Sequence, residues 1–118
     1  MNNYMEKLKS HSEHVNTSDL LNRLCGNVIL VNKFIGVFYK TFKDIASEIE
    51  EKIENGELKE AGVLVHKVKE SSGNLNLTQI YNKSCQLEKA LKSEDEAVIQ
   101  NEFKVFKEVV SDFFKIIE

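Results

Sequence analysis

The residues with the most chemical potential in this 118-residue chain lie together in the stretch from His66 to Leu77, HKVKESSGNLNL. His66 follows Val65, one of a series of apolar residues at helical intervals, so it sits about 100° around the helix from the inward face. At three- and four-residue spacing it shares its stripe with Gly62, Lys69, Glu70 and Gly73. An imidazole on that stripe faces solvent. With an ordinary pKa of ~6.5, much of it is neutral near physiological pH and has a ring-nitrogen lone pair available for attack or proton transfer. A lysine one turn away sets an ammonium beside any anionic group that reaches the ring. Glycine inside a helix costs ~1 kcal/mol relative to alanine, and clearance for an approaching partner is one reason to find it at Gly62. An ordinary surface histidine beside a glycine without a role satisfies the same spacing.

Other candidate groups point to less. His11 and His14 form an H-x-x-H pair, but in a polar segment with no third ligand they read as solvated side chains rather than a metal site. Cys25 and Cys85 stand sixty positions apart with no C-x-x-C pattern, which predicts reduced, partly buried thiols. Phe103, Phe106, Phe113 and Phe114 fall at helical spacing and read as core, with Phe114 partly exposed. The chain has no P-loop and no glycine-rich nucleotide motif.

The elements that position these groups are helices. There is no proline, and the chain is rich in Lys, Glu, Leu and Ile, which lose little rotamer freedom in a helix. Val28, Val31, Phe34 or Ile35, Phe38, Phe42, Ile45, Ile49 and Ile53 recur at three and four residues. This spacing predicts one helix from Val28 to Glu54, ~40 Å long, capped by Asn27 and stopped at Asn55-Gly56. A second helix begins near Glu57, turns Leu58, Ala61, Val65, Val68 and Ser72 inward, and ends around Gly73-Asn74. The third starts at Asn76 or Thr78 with Ile80, Ser84, Leu87 and Leu91 inward. The fourth follows Ser93-Glu94-Asp95 and buries Ile99, Phe103, Phe106, Val110, Phe113 and Ile117. Ahead of these, Thr17 or Ser18 would cap a short helix bearing Leu20, Leu21 and Leu24. Short connections between long amphipathic helices favour antiparallel neighbours. The predicted fold class is therefore all-α, an antiparallel up-down-up-down four-helix bundle with a short N-terminal helix. Residues 1–16 form a polar lead-in, and 17–118 form the bundle.

Composition narrows the function classes. Sixteen Lys plus Arg against nineteen Asp plus Glu give a net charge of −3, and basic residues alternate with acidic ones, which disfavours nucleic acid as a partner. No apolar run approaches the ~20 residues of a membrane span, and MNNYMEKLKSHSEH lacks the apolar core of a secretory signal. These features predict a cytoplasmic protein with no membrane partner.

The His66–Leu77 stretch resembles the signature of histidine-containing phosphotransfer (HPt) domains, the helical modules that relay phosphoryl groups in two-component phosphorelays. His66, Val68, Lys69, Ser71, Ser72, Leu75 and Leu77 occupy signature positions, and the likeness continues through Gln86-Leu87-Glu88. The resembling region covers about residues 18 to 116. Where the family has glycines, this chain has Glu70 and Asn76. The resemblance implies a phosphoryl carrier rather than an enzyme. It implies His66 as phosphoacceptor, Glu88 as a carboxylate facing the ring, and Lys69 beside the phosphoryl oxygens. Gly62, Val63, Glu70 and Gly73 would lie where a partner docks. Partners would be receiver domains of response regulators and hybrid sensor kinases, met by a monomer. The chain would have no cofactor of its own, since the receiver supplies the Mg2+. Glu70 leaves a second function open, a pseudo-HPt or helical adaptor that binds receivers without phosphotransfer.

Overall fold

The computed structural model describes residues 3–118, and these form seven helices: α1 (Tyr4–Leu8), α2 (Thr17–Arg23), α3 (Val28–Phe42), α4 (Ile45–Glu54), α5 (Leu58–Asn74), α6 (Thr78–Ser93) and α7 (Glu96–Ile117). The fold is all-helical. The one extended pairing among the described residues is an isolated bridge between Val15 and Leu77. The molecule measures 43 × 22 × 21 Å, its long dimension matching the reach of its longest helical stretches. Helix α5 packs against α4 and α6, α7 against α4 and α6, and α1 lies across α3 and α7. No single helix among the described residues is long and apolar enough to cross a membrane.

The inward faces follow the three-and-four spacing closely. Ala61, Val65, Val68 and Ser72 of α5 are buried, as are Ile80, Ser84, Leu87 and Leu91 of α6 and Ile99, Phe103, Phe106, Val110, Phe113 and Ile117 of α7. In α3, Ile35 rather than Phe34 takes the inner position, and Phe34 and Val28 reach solvent.

Several expectations are corrected. The helix expected from Val28 to Glu54 is interrupted at Lys43 and Asp44, where Asp44 has φ −109° and ψ 10°. Asp44 stands at the N-cap of α4 without a side-chain capping hydrogen bond, and aspartate has a low helix propensity. The apolar stripe nevertheless continues across the break, through Phe42 into Ile45 and Ile49. The short helix is capped by Asn16, one residue before Thr17, through its side-chain oxygen on the Asp19 N–H. Neither Asn76 nor Thr78 caps α6. Thr78 is its first helical residue, and Asn76 takes a left-handed φ of 54° with its side-chain oxygen accepting from Arg23 Nη1 at 2.6 Å. Asn27 does cap α3, and Gly56 adopts a φ of 75° just past α4. Phe114 is buried, because Tyr39 meets it edge-on at 5.3 Å and Phe38 lies alongside. Cys25 is exposed, while Cys85 is half-buried as expected.

The N-terminal segment also differs from a polar lead-in. Its first two residues lie outside the described residues, but Tyr4, Met5, Leu8 and Val15 are buried. The Met5 N–H donates to Asn32 Oδ1 at 2.9 Å, and Lys7 donates to the carbonyls of Ile117 and Glu118 at the end of α7, where cationic groups are favoured. His14, expected in solvent, is 4% exposed, because the segment folds back and lays its ring against Phe113.

Glu94 ends α6 in the left-handed region at φ 58°, a conformation that favours glycine. Replacing it with glycine, Glu94→Gly, is expected to stabilise the fold by up to ~1 kcal/mol, a rise of a few degrees in Tm by thermal denaturation.

Candidate functional site

The site forms where α5 and α6 lie side by side, the most extensive helix contact in the molecule. Small residues face inward along both helices: Ala61 and Ser72 on α5, Ser84 and Ala90 on α6. The two buried hydroxyls return to their own helices, Ser72 Oγ to the Lys69 carbonyl at 3.1 Å and Ser84 Oγ to the Ile80 carbonyl at 2.7 Å, so neither burdens the interface with an unpaired group. Just outside this seam, α5 presents His66 and Lys69 and α6 presents Glu88.

Four side chains converge there. His66 Nδ1 lies 2.8 Å from Glu88 Oε2, and Lys69 Nζ donates to the other oxygen, Glu88 Oε1, at 2.9 Å. On the far side of the ring, His66 Nε2 lies 2.9 Å from Glu70 Oε1. The carboxylates differ in setting: the Glu88 side chain is 15% exposed and that of Glu70 is 67% exposed. Glu88 is therefore a fixed partner shared by two cations, and Glu70 is a solvent-borne one with a single contact at the site.

The electrostatics follow from these contacts. Lys69 first, helped by His66, holds the Glu88 carboxyl below the usual glutamate range, overcoming the opposing effect of burial. Glu88 in turn pushes Lys69 upward. His66 is raised above the ordinary histidine value, first by its hydrogen bond to Glu88 and next by that to Glu70. Both carboxylates reward the imidazolium, which has an N–H on each nitrogen. With His66 protonated the four groups sum to zero charge; with His66 neutral they sum to −1.

The sequence-derived site residues divide into those brought together and those not. His66, Lys69, Glu70 and Glu88 meet within hydrogen-bonding distance, with Lys69 held on Glu88. Gly62 and Val63 border a groove of about 480 Å³ that runs beside His66 and Glu88 and is also lined by Leu58, Leu91, Lys59, Lys67, Lys92 and Glu94. A Cβ on Gly62 would meet nothing within 4 Å, so no described residue requires glycine there. Gly73 sits apart from the groove. A Cβ there would approach the Tyr81 ring to 3.1 Å, so its bareness serves the packing of α5 on α6. The lysine rim went unread in the sequence because Lys59, Lys67 and Lys92 alternate with acids along the chain and gather only when α5 and α6 pair.

His11 faces Glu13 at 3.1 Å and shares no ligand geometry with buried His14. Among the described residues, no three His, Cys, Asp or Glu side chains are grouped to hold a metal ion. Comparison of the chain with protein-family models, with curated proteins and with solved structures finds no match.

Chemically, the arrangement is an imidazole whose Nδ1 is fixed and whose Nε2 is reached from solvent once Glu70 swings aside. Substituting Glu70→Gly removes one of the two carboxylates that favour the imidazolium. The His66 pKa, followed by NMR titration of its ring protons, is expected to fall toward the ordinary value while remaining above it because Glu88 stays. The same variant should melt slightly lower, by roughly 1 kcal/mol of lost helix propensity.

Proposed function

We propose that this chain is a histidine phosphotransfer protein of the HPt type, in which His66 accepts a phosphoryl group from a receiver-domain aspartate and passes it to another receiver. The reading extends to the fold, with α3–α4, α5, α6 and α7 as the four members of an antiparallel up-down-up-down bundle, and to a cytoplasmic monomer. The observation that carries it is the Lys69–Glu88–His66 chain of contacts: a carboxylate fixed by lysine holds Nδ1 and leaves Nε2 as the outward nitrogen.

The step is an in-line displacement. Neutral His66 keeps its hydrogen on Nδ1, toward Glu88, and offers the Nε2 lone pair to phosphorus. The N–P bond forms as the acyl P–O bond of the partner's phosphoaspartate breaks and the aspartate leaves as a carboxylate. The positive charge that develops on the ring is met by Glu88, so no proton need move during transfer. Phosphoryl transfer depends mainly on positioning and charge neutralisation. The partner's Mg2+ supplies neutralisation from its side, and the lysines along the groove supply it from this one. Lys69 acts chiefly through Glu88, holding it ionised and aimed, rather than standing free for the phosphoryl oxygens.

A second reading draws on the 2.9 Å contact of Glu70 with Nε2. A carboxylate on the attacking nitrogen favours a pseudo-HPt adaptor that binds receivers without taking phosphate. The two readings separate on acid-labile labelling of the chain by phosphorylated receivers.

Under the first reading, His66→Gln is expected to abolish labelling with no more than a slight change in Tm, since the ring is half exposed and Lys69 still pairs with Glu88 when the ring is gone. Retained labelling would remove His66 from the mechanism. Transfer by the natural chain should rise with pH through the elevated His66 pKa, because only the neutral ring attacks. Lys69→Ala is expected to slow transfer roughly tenfold or more at saturating partner with an unchanged KM, the mark of a positioning residue rather than a docking one. An unchanged rate would leave Lys69 with a structural role only.

A further inference from the structure

The segment from Tyr4 to Val15 lays Tyr4, Met5, Leu8 and Val15 onto the core and is tied down by polar contacts as well. The Met5 N–H reaches Asn32 on α3, Lys7 reaches the last carbonyls of α7, and Val15 pairs with Leu77 in the turn between α5 and α6. Between those ties sits His14, 4% exposed, its ring 5.7 Å from that of Phe113. Its Nδ1 is buried and has no hydrogen-bond partner among the described residues. A neutral ring bears this at the cost of one unsatisfied atom. An imidazolium does worse, because Nδ1 becomes an N–H with nothing to accept it and the charge lies against an aromatic core.

The charged neighbours do not reverse this. Burial holds His14 below the ordinary histidine range. Glu13 on its own segment and Asp112 on α7 oppose that effect, His11 adds to it, and burial outweighs them. The turn from Leu75 to Thr78, against which Val15 pairs, carries no charged residue.

We propose that the Tyr4–Val15 segment is an acid-released strap with His14 as its trigger, detaching from α3, α7 and Leu77 when the ring is protonated and uncovering the apolar surface around Phe113. The α5–α6 pair and its histidine site stay folded throughout, so the inference is independent of the function proposed for His66. A short segment laid over a core can open at lower free energy than the helices it covers. The sign follows from linkage. A histidine depressed in the closed state binds its proton more readily in the released state, where its pKa is about 6.5. Closure is fully favoured above that value. Below it, the released population grows toward tenfold per pH unit until the closed-state pKa is reached.

The test is amide hydrogen exchange on the full chain, corrected for intrinsic rates, from about pH 7.5 to about pH 5. Protection of the Leu8 and Val15 amides is expected to fall several-fold or more below about pH 6.5 while amides within α5 and α6 hold. In His14→Leu, which keeps an apolar side chain and removes the titration, strap protection should not vary with pH. NMR titration of the His14 ring in the natural chain gives an answer even if that variant folds poorly. Three results would overturn the proposal: strap protection that does not change with pH, a ring that becomes charged in place with protection intact, or parallel loss of protection throughout the chain.

Discussion

The carboxylate of Glu88 is the contact on which the site depends. Each of its oxygens meets one cationic group of α5, Lys69 on one side and the His66 ring on the other, and it is held where α5 and α6 run against each other. A carboxylate so shared is hard to protonate and hard to rotate, because either change would strand a donor in a partly desolvated place. The inward faces of the two helices include alanines and serines among larger apolar residues, and their close packing lets a glutamate on one helix reach a histidine on the next. Orientation of the ring is thus a product of helix packing.

Around that fixed point the site is open. Glu70 touches the ring from solvent, Gly62 leaves a gap, and Val63, the lysines and Glu94 border an open groove. The arrangement divides the ring into a side governed by the protein and a side governed by what approaches. Such a division is what the proposed carrier role asks for, since its partner would complete the chemistry.

Much of this was legible in the sequence because helical periodicity is local. One stripe contains Gly62, His66, Lys69, Glu70 and Gly73 whatever else the chain does, and the inward sets of α5, α6 and α7 follow from the same arithmetic. The pairing of Glu88 with His66 was reachable only through the HPt resemblance, since a separation of twenty-two residues has no meaning until two helices are known to lie together. What escaped was tertiary. Tyr4, Met5, Leu8 and Val15 are too sparse among charged residues to announce a packed segment, and His14 looked solvated because nothing local marks Phe113 as its neighbour. The interruption at Asp44 left no trace in the apolar pattern, which crosses it in phase. Gly73 shared the right stripe and yet serves Tyr81, a residue of the next helix.

The unequal exposure of the two carboxylates on His66 has a consequence for ionic strength. Mobile ions screen charges that water surrounds, over a Debye length of about 8 Å at physiological salt, and reach partly buried pairs far less. Added salt therefore loosens the outer contact with Glu70 while the inner contacts among Glu88, Lys69 and His66 persist. The ring keeps its orientation and gives up part of its affinity for a proton. Salt, usually the solvent of weakened electrostatics, here sharpens the difference between the nitrogen the protein holds and the one it leaves to solvent.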